Sequence, residues 1–319
     1  MISLPDFKEK QLLFIQTERG VSNKIKFHND NVVFTKDDSV INRASCHRVF
    51  AVFVIGDISI TSELMKNGRR YGVSFFFLKP NMEVYASINA ASEANYLLKQ
   101  AQYTMSADKE LIVAKCLVKN KIENQIYLLN SVKKKEEAEH LYKLVQTINS
   151  IREHESLLGI EGNASKLFFK NYFNSIKWFR RMPRVKPDIP NLLLDIGYTI
   201  LFNCTDSLLR LYGFDTYKGC YHKLFFQRKS LSCDIVEPLR CIIDKQLLKS
   251  FNLGQVNEED FVFSNHKFTL KNFEKNQKYS KIFMEAVMAH KEDLYNFTRD
   301  FYRYVMNDQK NSFPVFNLK

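Results

Sequence analysis

The chain has 319 residues, of which 47 are Lys or Arg and 35 are Asp or Glu, and its net charge is +12. Hydrophobic residues make up 45% and charged residues 26%, with 10 Gly and 7 Pro, which excludes collagen-like, low-complexity and wholly disordered chains. At roughly 100–200 residues per domain, the length predicts two globular domains. The excess of cations favours an anionic polymer as partner.

The first part of the chain has the pattern of strands. Six short segments are rich in β-branched and aromatic residues and are separated by polar, Gly, Asn or Pro residues. They are residues 11–16, 24–28, 31–35, 48–56, 73–78 and 83–88. A helix over residues 61–72 interrupts them, with Thr61 or Ser62 as its N-cap and a glycine at its end.

After about residue 90 the pattern changes to helical periods. Helices are expected over residues 91–105, 107–150, 156–179, 190–211, 224–251 and 279–305, with a short strand pair over residues 261–270. The fold class is therefore α+β. A β-rich N-terminal domain is expected over residues 1–90, followed by a larger all-α-helical domain over residues 91–319.

Cysteine usage and apolar runs bear on the compartment. The cysteines form no C-x-x-C pair and no zinc-ribbon spacing, which favours buried free thiols. The start, MISLPDFKEKQ, lacks the apolar stretch of a secretory signal, and the most apolar run, residues 49–55, has the length of a strand. We therefore expect a soluble protein of the reducing cytoplasm, with no membrane partner.

A basic loop, RRMPRVKP, lies between two of the predicted helices. Its two prolines exclude a regular helix. Arg180, Arg181, Arg184 and Lys186 repel one another unless water or phosphate screens them. A solvated loop and a DNA-contacting loop fit this pattern equally well.

Glu161, in the segment GIEGNASKLFF, is the first candidate for chemistry. On a helix it shares a face with Leu157, Ala164 and Phe168. A carboxylate that faces a core loses its hydration, so it must become neutral, pair with a cation or coordinate a metal. For this segment alone, a nearby Lys or Arg is the simplest partner.

Two further segments carry candidate ligands. The segment GFDTYKGCYH is a structured loop that delivers His222 to the start of the next element. In RKSLSCDIVEPLR, Asp234 and Glu237 lie three residues apart on one helix face, where like charges repel unless a cation lies beside them. Pro238 removes an amide donor, so the helix kinks or restarts there.

Two interpretations of this acid pair stay open. The pair forms a surface ion-pair ladder with cations such as Arg240 and Arg228, or it joins Glu161 and His222 in an oxygen-rich cation site. Such a site suits Mg²⁺ or Mn²⁺ better than zinc. The apolar residues around the pair make the surface ladder the less attractive of the two.

Four motifs, taken in order, resemble the CRISPR-associated integrase of the spacer-acquisition module, the Cas-one family. They are GIEGNASKLFF, PNLLLDIGYTILFN, GFDTYKGCYH and SLSCDIVEPLR. The family patterns are approximately E-G, N-x-x-L-x-x-G-Y, G-x-D-P-Y-x-G-F-x-H and S-L-A-x-D-x-x-E-P-x-R. The sequence departs from them at Thr216, Cys220, Tyr221, Ser232 and Cys233, and none of these changes removes a side chain that carries chemistry.

The resemblance implies that Glu161, His222 and Glu237 are catalytic ligands of a divalent metal, Mg²⁺ or Mn²⁺. Asp234 is then a further ligand or orients one, and whether Asp234 or Glu237 is the main third ligand stays open. The implied reaction is a transesterification in which the 3′-hydroxyl of a short foreign DNA fragment attacks phosphodiesters at the ends of a CRISPR repeat. The implied DNA-binding residues are Arg228, Lys229 and Arg240 near the site, and Arg180, Arg181 and Arg184 in the basic loop.

The resemblance also implies partners. We expect a homodimer through the β-rich domain, with two such dimers bridging a dimer of a small ferredoxin-like CRISPR-associated protein. Three other functions compete with this one: an integrase of the same fold that serves a mobile element, a DNA-binding scaffold without catalysis, and a general nuclease that cuts without joining.

Overall fold

The computed structural model describes residues 10–18, 20–79, 84–90, 95–176, 178–308 and 310–319. In the N-terminal part of these residues, five strands are followed by one helix and two further strands. The elements are β1 Gln11–Gln16, β2 Asn23–His28, β3 Asn31–Lys36, β4 Ser39–Ser45, β5 Val49–Ile55, α1 Ser62–Tyr71, β6 Ser74–Leu78 and β7 Val84–Ile88.

The strands form two sheets. One has the order β1-β5-β6-β7, with β1 and β6 parallel to β5 and β7 antiparallel to β6. The other is the antiparallel sheet β2-β3-β4. Strand β5 is buried along its whole length because it lies between two parallel neighbours, and this explains its unbroken apolar sequence.

The predicted strands and the predicted helix of this region are confirmed within the described residues. Thr61 is the N-cap of α1, because its side chain accepts a hydrogen bond from the Leu64 amide, and the helix ends at Gly72 with φ of 69°. Strand β4 was not predicted, because its sequence SVINRAS is polar and mostly exposed. It forms through pairing with β3 across a turn in which Asp37 and Asp38 both have positive φ.

The rest of the described chain is mainly helical. Its elements are α2 Tyr96–Tyr103, α3 Ala107–Ser131, α4 Lys135–Thr147, α5 His154–Tyr172, α6 Ile189–Tyr212, α7 Ser230–Val236, α8 Cys241–Asn252, β8 Phe261–Ser264, β9 Lys267–Leu270, α9 Phe273–Ala289 and α10 Lys291–Met306. The fold class is therefore α+β, with a strand-rich region followed by a larger, mostly helical one, as the sequence predicts. The predicted strand pair is the hairpin of β8 and β9.

Four predicted helices are wrong in extent. The stretch 107–150 is broken into α3 and α4 at Lys133, where φ is 63°. The stretch 279–305 is divided between α9 and α10 at His290. The stretch 224–251 begins too early, because residues 223–229 form a loop, and it restarts after a 3₁₀ turn at Glu237–Leu239, where Pro238 was expected to interrupt it. The helix predicted over 156–179 ends earlier, at Tyr172.

Helix α6 is the central helix of the mostly helical region. Gly197 allows a close approach there, because a Cβ at this position would lie 2.5 Å from the Ile243 side chain and 2.9 Å from that of Phe283. By length and composition α6 could span a membrane, yet 83% of its most apolar window is buried inside the protein. It is the core helix against which α7, α8, α9 and α10 pack.

Candidate active site

Two glutamates from separate elements meet at one lysine. Lys121, on α3, donates hydrogen bonds to Glu161 on α5 and to Glu237 in the 3₁₀ turn after α7, the second at 2.7 Å. The Lys121 side chain is 11% exposed and that of Glu237 is 6% exposed. The Ser165 hydroxyl also donates to Glu161, at 2.9 Å. A cation between two carboxylates removes the repulsion that would otherwise separate them.

Helix α3 explains why the two carboxylates converge. It packs against both α5 and the turn that carries Glu237. The Asn124 amide donates to the Pro238 carbonyl at 3.3 Å, which fixes the turn next to the glutamate. Asn120 and Asn124 also bond the backbone of Phe316 and Leu318, so the end of the chain lies along the same helix.

Glu237 is held ionised although it is buried. Burial alone would raise its pKa, but Arg240, 3.0 Å away, and Lys121 outweigh this effect and lower the pKa to about 2. His222 contributes in the same direction. Arg240 itself lies over the Tyr198 ring, 4.9 Å from its centroid.

Asp234 organises the loop that carries His222. One carboxylate oxygen accepts from the amides of Cys220 and Tyr221 at 2.6 and 2.9 Å, and the other accepts from the His222 amide at 2.8 Å. The second oxygen also contacts His222 Nδ1 at 2.7 Å. Gly219 is required here, because a Cβ would lie 2.7 Å from this carboxylate.

This geometry separates the roles of the two acids. The Asp234 side chain is fully buried, and both of its oxygens already accept two hydrogen bonds each, so it orients His222 rather than facing outward. Because Nδ1 of His222 contacts Asp234, the ring nitrogen left for another partner is Nε2. Glu237, in contrast, faces Glu161 across a shared cation.

A cavity of about 640 Å³ adjoins the two glutamates. The residues that line it near the acids are Lys121, Glu161, Glu237 and Arg240, and the segment around the basic loop contributes Trp178, Phe179, Arg180 and Arg181. Gln125 lines it too, and its buried Oε1 has no hydrogen-bond partner within the described part of the chain. The cavity therefore connects the acids with an aromatic and cationic surface.

The six predicted DNA-contacting cations divide into two groups. Arg181 bonds Asp195 at 2.6 Å, Lys229 bonds the buried Asp206 at 2.8 Å, and Arg240 bonds Glu237, so these three stabilise the fold around the site. The exposed group consists of Arg180, Arg184 and Arg228. The basic loop is anchored through Asn191 and Asp195.

Lys121 is one of two residues of the site that the sequence did not predict. It follows Leu117 and Val118 by four and three residues, so its place on the buried face of α3 was readable from the spacing. The cation expected beside Glu161 is therefore this lysine, supplied from 40 positions earlier in the chain. Asp244, bonded to the Tyr198 hydroxyl, was missed as well.

Asp244 makes stability depend on pH. Burial raises its pKa from 3.8 to about 7, against the opposing effects of the Tyr198 hydrogen bond and Arg240. The folded state then holds a proton that the unfolded state releases, so the stability contribution of Asp244 falls as pH rises from about 4 to 7. The free energy of unfolding of Asp244→Asn, relative to that of the unmodified protein, should therefore be larger at pH 8 than at pH 5, as measured by urea denaturation.

Asp260 provides the control for this prediction. Lys278, Lys275 and Tyr279 outweigh its burial and lower its pKa to about 2, so its contribution disappears only at more acidic pH. The stability change of Asp260→Asn should therefore be the same at pH 5 and pH 8. An equal change for Asp244→Asn at both pH values would contradict the assignment of Asp244.

The comparisons with known proteins give a consistent result. The family model "CRISPR associated protein Cas1" matches residues 17–285. A curated relative, "CRISPR-associated endonuclease Cas1 1" of Thermodesulfovibrio yellowstonii, is 29% identical over 226 residues, which are 66% of this chain and 71% of the relative.

Two solved structures share the fold. The structure "Casposase bound to integration product" matches with a TM-score of 0.82 and 16% identity, over 96% of this chain and 94% of that one. A chain of the "Cas6-RT-Cas1--Cas2 complex" matches with a TM-score of 0.79 and 24% identity, over 98% of this chain and 36% of that longer one.

A strand-rich region followed by a larger, mostly helical one is the fold that the chain shares with these solved structures. Because the family model covers most of the sequence, the chain belongs to the Cas1 family. The resemblance drawn from the four motifs is thereby confirmed.

Proposed function

We propose that the chain is the integrase of CRISPR adaptation, a metal-dependent enzyme that joins the 3′-hydroxyl ends of short DNA fragments to the borders of a CRISPR repeat. The observation that carries this proposal is the meeting of Glu161 and Glu237 around one positive charge. Asp234, three residues before Glu237, fixes the ring of His222, the third ligand that we assign. The arrangement suits phosphoryl transfer, in which a site positions charged groups rather than forming bonds to the substrate.

The donor set fits a divalent metal such as Mg²⁺ or Mn²⁺. Two carboxylates and an imidazole are the ligands we assign, namely Glu161, Glu237 and His222 through Nε2. Among the described residues, no three His, Cys, Asp or Glu side chains lie close enough together to hold a metal ion in this conformation, and the Lys121 ammonium takes the place between the two carboxylates. The space between the Glu161 and Glu237 carboxylates therefore already accommodates a positive charge. When bound, the metal would polarise a phosphoryl oxygen and stabilise the leaving oxygen.

The protein residues around the site have separate tasks in this proposal. Asp234 holds the His222 ring in one orientation, and Arg240 keeps Glu237 ionised. The exposed Arg180, Arg184 and Arg228 are the candidates for phosphate contact. The sequence predicts Arg181 and Lys229 as DNA-contacting residues, and in this proposal they instead stabilise the site through Asp195 and Asp206.

Partners and compartment complete the proposal. We assign residues 1–90 to a dimerisation domain and residues 91–319 to the catalytic domain. The matched complex includes Cas2, which supports a small CRISPR-associated partner, and the matched casposase is bound to an integration product, which supports DNA. All six cysteines are free thiols, as in a protein of the reducing cytoplasm.

The proposed reaction can be tested by comparing DNA fragments that have or lack a 3′-hydroxyl group at their ends. The purified protein with Mn²⁺, with and without its small partner, is incubated with a fragment that has free 3′-hydroxyls and a supercoiled plasmid that carries a repeat. We expect covalent joining of this fragment and none of a matched fragment with 3′-dideoxy ends. Plasmid cutting that is equal with both fragments would instead support a general nuclease.

An integrase of a mobile element is the second candidate, favoured by the fold match to a casposase. It would join the same fragment at sites that do not depend on the repeat. A scaffold without catalysis is the third, favoured by the complete pairing of both glutamates with cations. It would bind DNA and never join it.

The exposed arginines predict a salt dependence. Replacing Arg180 and Arg184 together by Gln should reduce the slope of log affinity against log salt by about 0.9 for each duplex phosphate that these arginines neutralise. Arg152→Gln, at an exposed arginine before α5, is the matched control and should leave the slope unchanged. Equal slopes for all three proteins, measured by fluorescence anisotropy, would remove the basic loop from the DNA interface.

A further inference from the structure

Lys121 occupies an unusual position for a lysine. Its side chain is 11% exposed and its ammonium bonds both glutamates that we assign as metal ligands. The lysine is on α3, whereas the glutamates are on α5 and in the turn after α7, so one cation connects three elements. The Lys121 ammonium lies between the two carboxylates, where a divalent metal would also be held.

We propose that Lys121 is a built-in counterion: it holds Glu161 and Glu237 together before metal binds, and an incoming Mg²⁺ or Mn²⁺ competes with it for the same oxygens. This inference rests on the proposed metal site. Lys121 is a positioning residue, because it acts through the glutamates.

The charges around the two acids show why a counterion is needed. Arg240 neutralises Glu237 alone, through the oxygen that does not bond Lys121. Among the contacts within the described chain, Glu161 has only the Ser165 hydroxyl besides Lys121. Without Lys121, the acid pair would therefore carry a charge that no neighbour offsets, and repulsion would drive the carboxylates apart.

Competition predicts an effect opposite to that of an ordinary structural contact. A neutral side chain at position 121 leaves both carboxylates to the metal and removes a like charge beside it, so affinity for the metal should rise while the metal-free protein becomes less stable. By thermodynamic reciprocity, metal should then stabilise the neutral variant more than it stabilises the unmodified protein.

The experiment measures Mn²⁺ binding to the full chain by electron paramagnetic resonance, together with melting temperatures with and without Mn²⁺. We expect Lys121→Met to bind Mn²⁺ about tenfold more tightly, a coupling within the usual range between sites. Lys121→Arg keeps the charge and should stay near the unmodified affinity. Lys166→Met removes another lysine that lines the same cavity, and it should change the affinity little.

Lys121→Gln is a second neutral variant, for use if the methionine variant does not fold. Its amide can still donate a hydrogen bond to one glutamate. Unchanged or weaker Mn²⁺ binding in the neutral variants, while the unmodified protein binds Mn²⁺ through Glu161, would overturn the inference and leave the proposed metal site standing. An absence of Mn²⁺ binding in the unmodified protein and in every variant would overturn both this inference and the proposed metal site.

Discussion

Glu161→Gln is expected to abolish strand joining while DNA binding is retained. Glutamine keeps the size of the side chain but replaces one carboxylate oxygen by an amide, so it is a poor ligand for Mg²⁺ or Mn²⁺. Losing a metal ligand costs several kcal/mol of transition-state stabilisation, and about 4 kcal/mol corresponds to about a thousandfold in rate. The rate of joining is measured with a labelled fragment, and DNA affinity by anisotropy.

Glu155→Gln is the matched control for this variant. Glu155 is on the same helix, α5, but its exposed carboxylate bonds Lys223 instead of Lys121. Joining by Glu155→Gln should therefore stay within about twofold of normal, since exposed ion pairs contribute little. If Glu161→Gln kept normal joining in Mn²⁺, Glu161 would be a structural acid and the proposed ligand set would be wrong.

Asp234→Asn is expected to cause the second large loss, in both stability and activity. An asparagine can offer an acceptor to only one side of the loop, so backbone amides among Cys220, Tyr221 and His222 lose their acceptor. Each buried donor left unsatisfied costs roughly 1–3 kcal/mol. The His222 ring also loses its orienting partner, which for a metal ligand typically costs about 10–100-fold in activity or metal affinity.

Asp206→Asn separates the two effects of Asp234→Asn. Asp206 is equally buried and accepts hydrogen bonds from Lys229, Ser232 and Arg210, but it does not contact His222. Both variants should lose stability in urea denaturation, and Asp234→Asn should lose more activity under conditions where both are folded. Equal losses of activity would mean that Asp234 acts only through the fold.

Much of the fold was predictable because its signals are local. The strands other than β4 alternate or run apolar, and α1 has its capping residues at the positions expected from the sequence. Strand β4 escaped prediction because its residues are polar and its pairing with β3 supplies the stability. The break at Lys133 escaped because neither Gly nor Pro marks it.

The candidate site was predictable only in part, for a related reason. Glu161, His222, Asp234 and Glu237 are in motifs whose spacing draws attention to them. Lys121 belongs to none of these motifs, and its role exists only when α3 packs against α5 and the turn after α7. The motifs also cannot show that Arg181 and Lys229 are bonded to Asp195 and Asp206, whereas Arg180 and Arg184 are exposed.

The most direct test of the proposed function is to sequence the junctions that the purified protein forms. The reaction contains Mn²⁺, the small CRISPR-associated partner, a fragment with free 3′-hydroxyls and a plasmid with one CRISPR repeat. We predict fragment ends joined at both borders of the repeat, and no junctions with Glu161→Gln. Plasmids that are cut without joined fragments, or junctions scattered without regard to the repeat, would contradict the assignment of this chain as the integrase of CRISPR adaptation.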